Sequence, residues 1–224
     1  MKKIICSELN INCVISGKIK YSFFPTPRIK FNNLLIKDFN TNTNIGEIKN
    51  INITLPLLKI LDKKKFEYKK IYLENGKIYF NFEHFDNYKK LFSKNFGTKP
   101  IYFKNSTINF FDSEKYIASI RDIDFKFKPK KNSEKLILTG KFLNDKISIK
   151  LDNNKTSKKI LLIKMEDSNI YLKADIVNTS NDGDFKGNLL LKKDKNNLSS
   201  QIIYKENKLN FLNASLRNPF LDGK

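Results

Sequence analysis

The chain has 224 residues and a formal net charge of +20, from 43 lysine and arginine residues against 23 aspartate and glutamate residues. That length suffices for one domain or one elongated sheet with a substantial core, and the excess of lysine would attract anionic lipid or nucleic acid. Phosphate-loop, dinucleotide-loop and zinc-ligand spacings are absent, which argues against a nucleotide-dependent enzyme and against a zinc protein.

The first predicted element is a strand from Ile11 to Phe23, because apolar and polar residues alternate along it. Pro25 and Pro27 remove two backbone donors and favour extended geometry in the residues before them. The strand should therefore end in a turn at Phe24. The residues predicted to share its buried face are Ile11, Cys13, Ile15, Ile19, Tyr21 and Phe23.

Further strands follow this turn. One begins at Ile29, and another contains the alternating residues Ile51, Ile53 and Leu55. From Pro56 to Leu61 the pattern changes to adjacent apolar pairs, which predicts a short helical turn opened by a proline.

Taken in order, the segment from Ile11 to Phe82 resembles the N-terminal region of the AsmA family. The resemblance rests on a strand with a glycine, a Phe-Pro-x-Pro-like turn at Phe24, Pro25 and Pro27, a leucine-rich block and a following strand pair. It implies a relative of bridge-like lipid-transfer proteins, which are long curved β structures held at the inner membrane with an apolar groove across the periplasm. In such a protein the matching turn residues are structural and none is catalytic.

Members of that family typically begin with one transmembrane helix. Here no window approaches 18 consecutive apolar residues. This absence implies a missing start, a gene fragment or an atypical soluble member of the family. We expect a fragment that lacks the anchor of its parent, with a poorly defined start over residues 1–10 and a truncated C-terminus.

One spacing recurs, with apolar residues at positions 0, 2 and 7 and Asn or Asp at position 4. Position 7 has the opposite parity from positions 0 and 2, so the backbone must insert a bulge or reverse direction between them. Asn and Asp suit that demand because they tolerate left-handed geometry, and Asn75-Gly76 in particular favours a tight hairpin turn. The copies are Ile71, Leu73, Asn75 and Ile78; Ile101, Phe103, Asn105 and Ile108; Ile29, Phe31, Asn33 and Ile36; and, more weakly, Ile163, Met165, Asp167 and Ile170.

The longest predicted helix covers residues 83–94, where Phe85, Tyr88 and Phe92 form one stripe. Residues 95–224 are predicted to form a meander of alternating strands, and no linker divides the chain into domains. We therefore predict a single region over residues 1–224, best matched to the family at 11–82. Its fold class is mainly β, an elongated, curved, groove-like antiparallel sheet with one or two short helices in the first third.

Two short helices cannot cover the apolar face of so many strands. The sheet could close on itself as a sandwich or barrel, pair with another chain, or form a groove occupied by lipid acyl chains. The AsmA resemblance favours the groove. The residues then predicted to face lipid are Ile11, Ile15, Ile19, Ile51, Ile53, Leu55, Ile78, Phe80, Phe125 and Ile149.

Residues with catalytic chemistry are few. His84 is interpreted as a surface or capping residue, and the pairs Asp112 with Glu114 and Asp122 with Asp124 as solvated faces and turns. Cys6 and Cys13 could form a disulfide, although a count of two does not establish one. We expect no catalytic residue, no metal and no cofactor.

From Ile123 to Lys131 aromatic and basic residues interleave, as in some nucleic-acid platforms. Phe125 and Phe127, however, alternate with Lys126 and Lys128 and so lie on the opposite face, and nucleic acid is not an expected partner. The expected function is non-enzymatic handling of phospholipid or another acyl lipid between the inner and outer membranes, with envelope proteins as possible partners. Two alternatives are a closed β-sandwich scaffold that binds protein or anionic surfaces through lysines, and a remnant without independent activity.

Overall fold

A computed structural model describes residues 12–38, 43–57, 67–84, 99–130, 132–154, 158–179, 184–205 and 208–219, and nearly all of them are strand. The strands are β1 (Asn12–Ile15), β2 (Lys20–Ser22), β3 (Arg28–Lys37), β4 (Asn44–Thr54), β5 (Lys70–Asn81), β6 (Ile101–Asp112), β7 (Lys115–Pro129), β8 (Ser133–Phe142), β9 (Asp145–Asn154), β10 (Lys158–Met165), β11 (Ile170–Asn178), β12 (Phe185–Lys193), β13 (Asn196–Lys205) and β14 (Lys208–Arg217).

Hydrogen bonds join these fourteen strands into one sheet whose order follows the sequence, except that β2 lies beside β3. The prediction of a mainly β chain built on one extended sheet is confirmed. By packing, the chain divides into two compact units, Met1–Lys126 and Phe127–Lys224. The boundary falls inside β7, which explains why no linker sequence marks it.

The predicted antiparallel pairing is wrong at one place, because β5 and β6 run parallel, with Ile71 beside Ile101 and Phe80 beside Phe110. A parallel neighbour requires a connection that returns the chain to the same end of the sheet, and alternation within strands carries no information about it. The predicted helix over 83–94 falls in this connection. Of that helix the structure describes only the end of a 3₁₀ turn at Phe82–His84, and the remainder lies outside the described residues.

The structure differs from the predictions near the N-terminus. The Ile11–Phe23 segment is two short strands, β1 and β2, and not one, because the chain leaves the ladder at Gly17. There a Cβ atom would lie 2.4 Å from the Asn32 carbonyl oxygen, so only glycine fits this close approach. Tyr21 and Phe23, predicted to be buried, are 50% and 70% exposed. The helical turn predicted at residues 56–61 lies mostly outside the described residues.

The recurring spacing corresponds to a real backbone feature. Asn33, Asn75 and Asn105 have φ angles of 57°, 56° and 46°, so the predicted left-handed geometry at position 4 is confirmed in three copies. Each residue inverts the side-chain alternation inside a continuous strand, so that apolar residues on both sides of it face the same way. Asn75-Gly76 is therefore no hairpin turn: β5 continues through it, and the Gly76 N–H donates to Ser106 Oγ at 3.0 Å.

The fourth copy behaves differently, since β10 ends at Met165 and β11 begins at Ile170. The chain reverses between them, and the left-handed residue there is Asn169, with φ 51°. Two copies were missed from the sequence. Asp122 and Asn213 have φ angles of 53° and 52°, and each is a left-handed residue within a strand.

The first unit has a packed core on one face of its sheet. Phe31 and Ile48 are 1% exposed, and Ile53 is fully buried. Partly buried side chains, including Ile19, Leu55 and Phe103, pack against this cluster. Its buried members are Ile15, Ile29, Phe31, Leu34, Ile48, Ile51, Ile53, Ile71 and Leu73.

Candidate functional site: the apolar face of the second unit

Seven consecutive strands of the second unit, β8 to β14, place an aliphatic residue at the same level of the same face. Each member of this set lies directly opposite the next in the cross-strand register. At the usual strand separation the set extends about 29 Å across the sheet. We call it the apolar row: Leu138, Ile149, Ile163, Leu172, Leu191, Leu198 and Leu216.

A second apolar set runs beside this row, because side chains two residues along a strand share a face. The neighbouring level is aliphatic over five strands and ends at Ser200 in β13. Apolar side chains therefore form a surface rather than a single line. The neighbouring set is Leu136, Leu151, Leu161, Ala174 and Leu189.

The opposite face of the same strands is mixed. One of its levels carries Ile137, Leu162 and Leu190 beside Lys150 and Lys173. The level on the other side of the apolar row carries no aliphatic side chain, and it contains three lysine or arginine residues that favour contact with water. We call it the polar row: Thr139, Ser148, Lys164, Tyr171, Lys192, Asn197 and Arg217.

The apolar row is only partly covered. Leu138 is 8% exposed, Leu216 is 59% exposed, and the members between them are half-buried. In the second unit each strand contacts its hydrogen-bonded neighbours, and the described residues of this unit form no second layer over the face. A side chain on a single-layer sheet is shielded by its lateral neighbours alone, so its outer surface stays open.

The hairpins along one margin of the unit are fastened to each other. The Asp145 carboxylate, 5% exposed, accepts hydrogen bonds from the backbone N–H groups of Asp167 at 2.8 Å and Ser168 at 2.9 Å. Asn169 Nδ2 then donates to Asp194 Oδ1 of the next hairpin at 3.2 Å. Burial alone would raise the pKa of Asp145, but the hydrogen bonds from Ser168 and Asp167 together outweigh it and hold this pKa below its ordinary value.

The residues predicted to face lipid fall into two groups. Ile149 belongs to the apolar row, and Ile78, Phe80 and Phe125 are half-buried in β5 and β7. Phe80 packs edge-on against Phe82 and Phe110, with ring centroids 5.3 and 5.8 Å apart.

The other group belongs to the core of the first unit. Ile15, Ile51 and Ile53 are buried there, and Ile19 and Leu55 pack against them. Ile11 lies outside the described residues. In the family-motif turn Phe24 is 88% exposed, Pro25 is exposed and Pro27 is buried.

Most of the apolar row was not named from the sequence. Its members belong to hairpins with regular alternation. That alternation predicts the face on which each residue lies, but its level on that face follows only from the hairpin registers. Their shared level on one face depends on those registers, which no single strand reveals.

Groups with reactive chemistry are dispersed. Over the described ranges no three His, Cys, Asp or Glu side chains come together as metal ligands. Asp112, Glu114, Asp122 and Asp124 are exposed, and Cys13 is disulfide-bonded. Among the helices in the described part of the chain, none is long and apolar enough to cross a membrane.

No family model matches the chain, and no curated protein or solved structure matches it. The class that the fold defines is a mainly β protein with a single amphipathic sheet. The AsmA resemblance stays a prediction from the sequence.

Proposed function

We propose that this chain is a non-enzymatic, AsmA-like envelope protein that handles or conducts phospholipid between the inner and outer membranes. The observation that carries the proposal is the apolar row of the second unit, which extends over seven strands and stays partly exposed. Acyl chains laid along this face would be shielded from water, while the polar row on the opposite side would remain solvated.

Binding of acyl chains to this face depends on no particular residue. Keeping an acyl CH₂ group out of water is worth about 0.8 kcal/mol, so contacts with many equivalent Leu and Ile side chains add up along a chain. Acyl chains need no hydrogen-bond partners, and the apolar row offers none. Single conservative substitutions should therefore change lipid binding little, whereas one charge in the row should change it strongly.

The cellular setting is part of the same proposal. Disulfides persist in oxidising compartments, which include the bacterial periplasm, and Cys13 is disulfide-bonded. This supports a position at the periplasmic face of the inner membrane.

The test is native mass spectrometry of the gently purified chain, followed by extraction and analysis of bound lipid. Ile163→Asp places a charge in the apolar row, and Leu162→Asp is its matched control. Leu162 is the next residue of β10, is also half-buried, and faces the other way between Lys150 and Lys173. We expect phospholipid on the wild type and the control, and a loss of most of it in Ile163→Asp.

A lipid-free wild type, or equal lipid content in the two variants, would contradict the proposal. The second candidate is an interaction domain, and β14 favours it because Leu209, Phe211 and Leu216 are 49%, 56% and 59% exposed on the last strand of the described sheet. A stable, lipid-free wild type that self-associates or captures a partner protein through β14 would favour this alternative.

A further inference from the structure

A second surface lies on the first unit, on the face opposite its core. Lys30 of β3, Asn52 of β4, Tyr72 of β5 and Tyr102 of β6 lie side by side in direct register across four strands. Each alternates with core residues of its own strand and so faces away from the core. We call these four residues the tyrosine–lysine row.

The two tyrosines form a stack. Their ring centroids are 4.8 Å apart and the ring planes differ by 18°. The Lys70 ammonium lies 5.1 Å from the centroid of the Tyr72 ring. A hydrogen bond with Tyr72 raises the pKa of Lys70 against the opposing effect of burial.

This geometry decides which ligand the row suits. Side chains stand roughly perpendicular to a sheet, so the stacked rings present their hydroxyl ends outward while they cover each other's faces. Base stacking needs open ring faces, so single-stranded nucleic acid fits poorly. The phenolic hydroxyls are hydrogen-bond donors, with the Lys70 ammonium next to Tyr72 and Lys30 two strands along the row. Donors with positive charge suit phosphate oxygens.

We propose that the tyrosine–lysine row binds the phosphate groups of an anionic phospholipid surface. Tyrosine suits a membrane interface because its ring is apolar and its tip is polar, and lysines near an anionic leaflet add electrostatic attraction. Lys104 lies on the same face one step from Tyr102, but Glu74 stands beside it and offsets its charge. Lys20 of β2 lies directly opposite Lys30, so the attraction comes from Lys20, Lys30 and Lys70 together.

This inference is separate from the proposed function, because it concerns headgroups on the first unit and not acyl chains on the second. Either can hold when the other fails. Ile163→Asp should reduce co-purified lipid and leave vesicle binding unchanged, and variants of the tyrosine–lysine row should do the reverse.

The experiment is co-sedimentation of the full chain with vesicles of phosphatidylcholine alone or mixed with phosphatidylglycerol, at fixed ionic strength. Two double variants test the row. Lys30→Gln with Lys70→Gln removes two of the three lysine charges, and Tyr72→Phe with Tyr102→Phe removes the hydroxyls but keeps the stack. Lys164→Gln with Lys192→Gln, in the polar row of the second unit, is the control for charge loss. Circular dichroism verifies that each variant is folded.

We expect binding to the anionic vesicles only, a loss of about thirtyfold for the lysine double variant, and a smaller loss for the tyrosine double variant. The control should lose clearly less than the lysine variant. Equal losses would show that net charge and not this row binds the surface, and would overturn the proposal. If inorganic phosphate at low concentration competes with the vesicles, the site binds free phosphate. If a single-stranded oligonucleotide competes, and does so only when the tyrosine–lysine row is intact, the site binds nucleic acid. Either result would overturn the lipid assignment.

Discussion

The two units carry the same kind of apolar sheet face, but the first unit buries it far more completely. In the first unit Ile53 is fully buried and Phe31 is 1% exposed, whereas Phe211 and Leu216 on the corresponding face of the second unit are 56% and 59% exposed. Alternation decides which residues share a face, but it does not decide whether that face is covered. A covered apolar face serves as a core. An uncovered one is a surface to which an apolar ligand or partner would bind favourably.

The largest expected effect comes from a buried charge in the first unit. Ile53→Asp should destabilise the protein by more than about 4 kcal/mol, because it leaves an unpaired carboxylate among buried aliphatic side chains. Ile163→Asp, in the half-buried apolar row of the second unit, should cost only about 1–2 kcal/mol, since water can reach the new group. Urea denaturation followed by circular dichroism measures both. Similar losses would mean that the two faces are equally enclosed, and the comparison would fail.

A matched pair of phenylalanines tests the same difference without charge. Phe31→Ala should cost about 3–5 kcal/mol because it removes a large side chain from a packed core. Phe211→Ala should cost less than about 1 kcal/mol, since more than half of that side chain is already in water. If acyl chains cover Phe211, Phe211→Ala should lower the free energy of unfolding more in the lipid-loaded protein than after lipid removal.

The left-handed asparagines allow a finer comparison. Asn75→Ala should cost about 1–2 kcal/mol, because alanine is strained at a φ of 56° and the hydrogen bond from Asn105 Nδ2 to Asn75 Oδ1, at 2.7 Å, is lost. Asn213→Ala, at 52° on the exposed β14, should cost about 1 kcal/mol. Asn213→Gly should be within about 0.5 kcal/mol of the wild type, because glycine accepts positive φ freely. A neutral effect of both alanine variants would show that the spacing has no structural role.

Local features of the fold could be predicted from the sequence because local chemistry determines them. Alternation in residues such as Ile147, Ile149 and Leu151 identified strands and their faces. The spacing around Asn33, Asn75 and Asn105 identified left-handed positions, since few residues other than asparagine and glycine tolerate that backbone. Searching for isoleucine-rich copies, however, missed Asn213, whose apolar neighbours are leucine and phenylalanine.

Non-local features could not be predicted. The parallel pairing of β5 and β6 depends on the return of the chain to the same end of the sheet, and strand patterns do not distinguish parallel from antiparallel neighbours. The break at Gly17 depends on a contact with Asn32 of β3, the strand that pairs with both β1 and β2. The apolar row and the tyrosine–lysine row each require the register of several strands, so neither candidate site is visible in any one segment.

The smallest expected effect concerns the margin of the second unit, where the comparison can be sharpened by pH. The folded-state pKa of Asp145 lies below the ordinary value of 3.8, because hydrogen bonds from Asp167 and Ser168 favour the charged form over the effect of burial. The stability that this carboxylate contributes is therefore fully present above the unfolded-state pKa and is lost as the pH falls through the folded-state value.

Asp145→Asn should lower the thermal midpoint at neutral pH, and the difference from the wild type should shrink as the medium becomes more acidic than about pH 4. Asp152→Asn, which removes an exposed ion pair with Lys135, is the matched control and should show little change at any pH. A pH-independent difference for Asp145→Asn would mean that its hydrogen bonds to the neighbouring hairpin do not depend on charge.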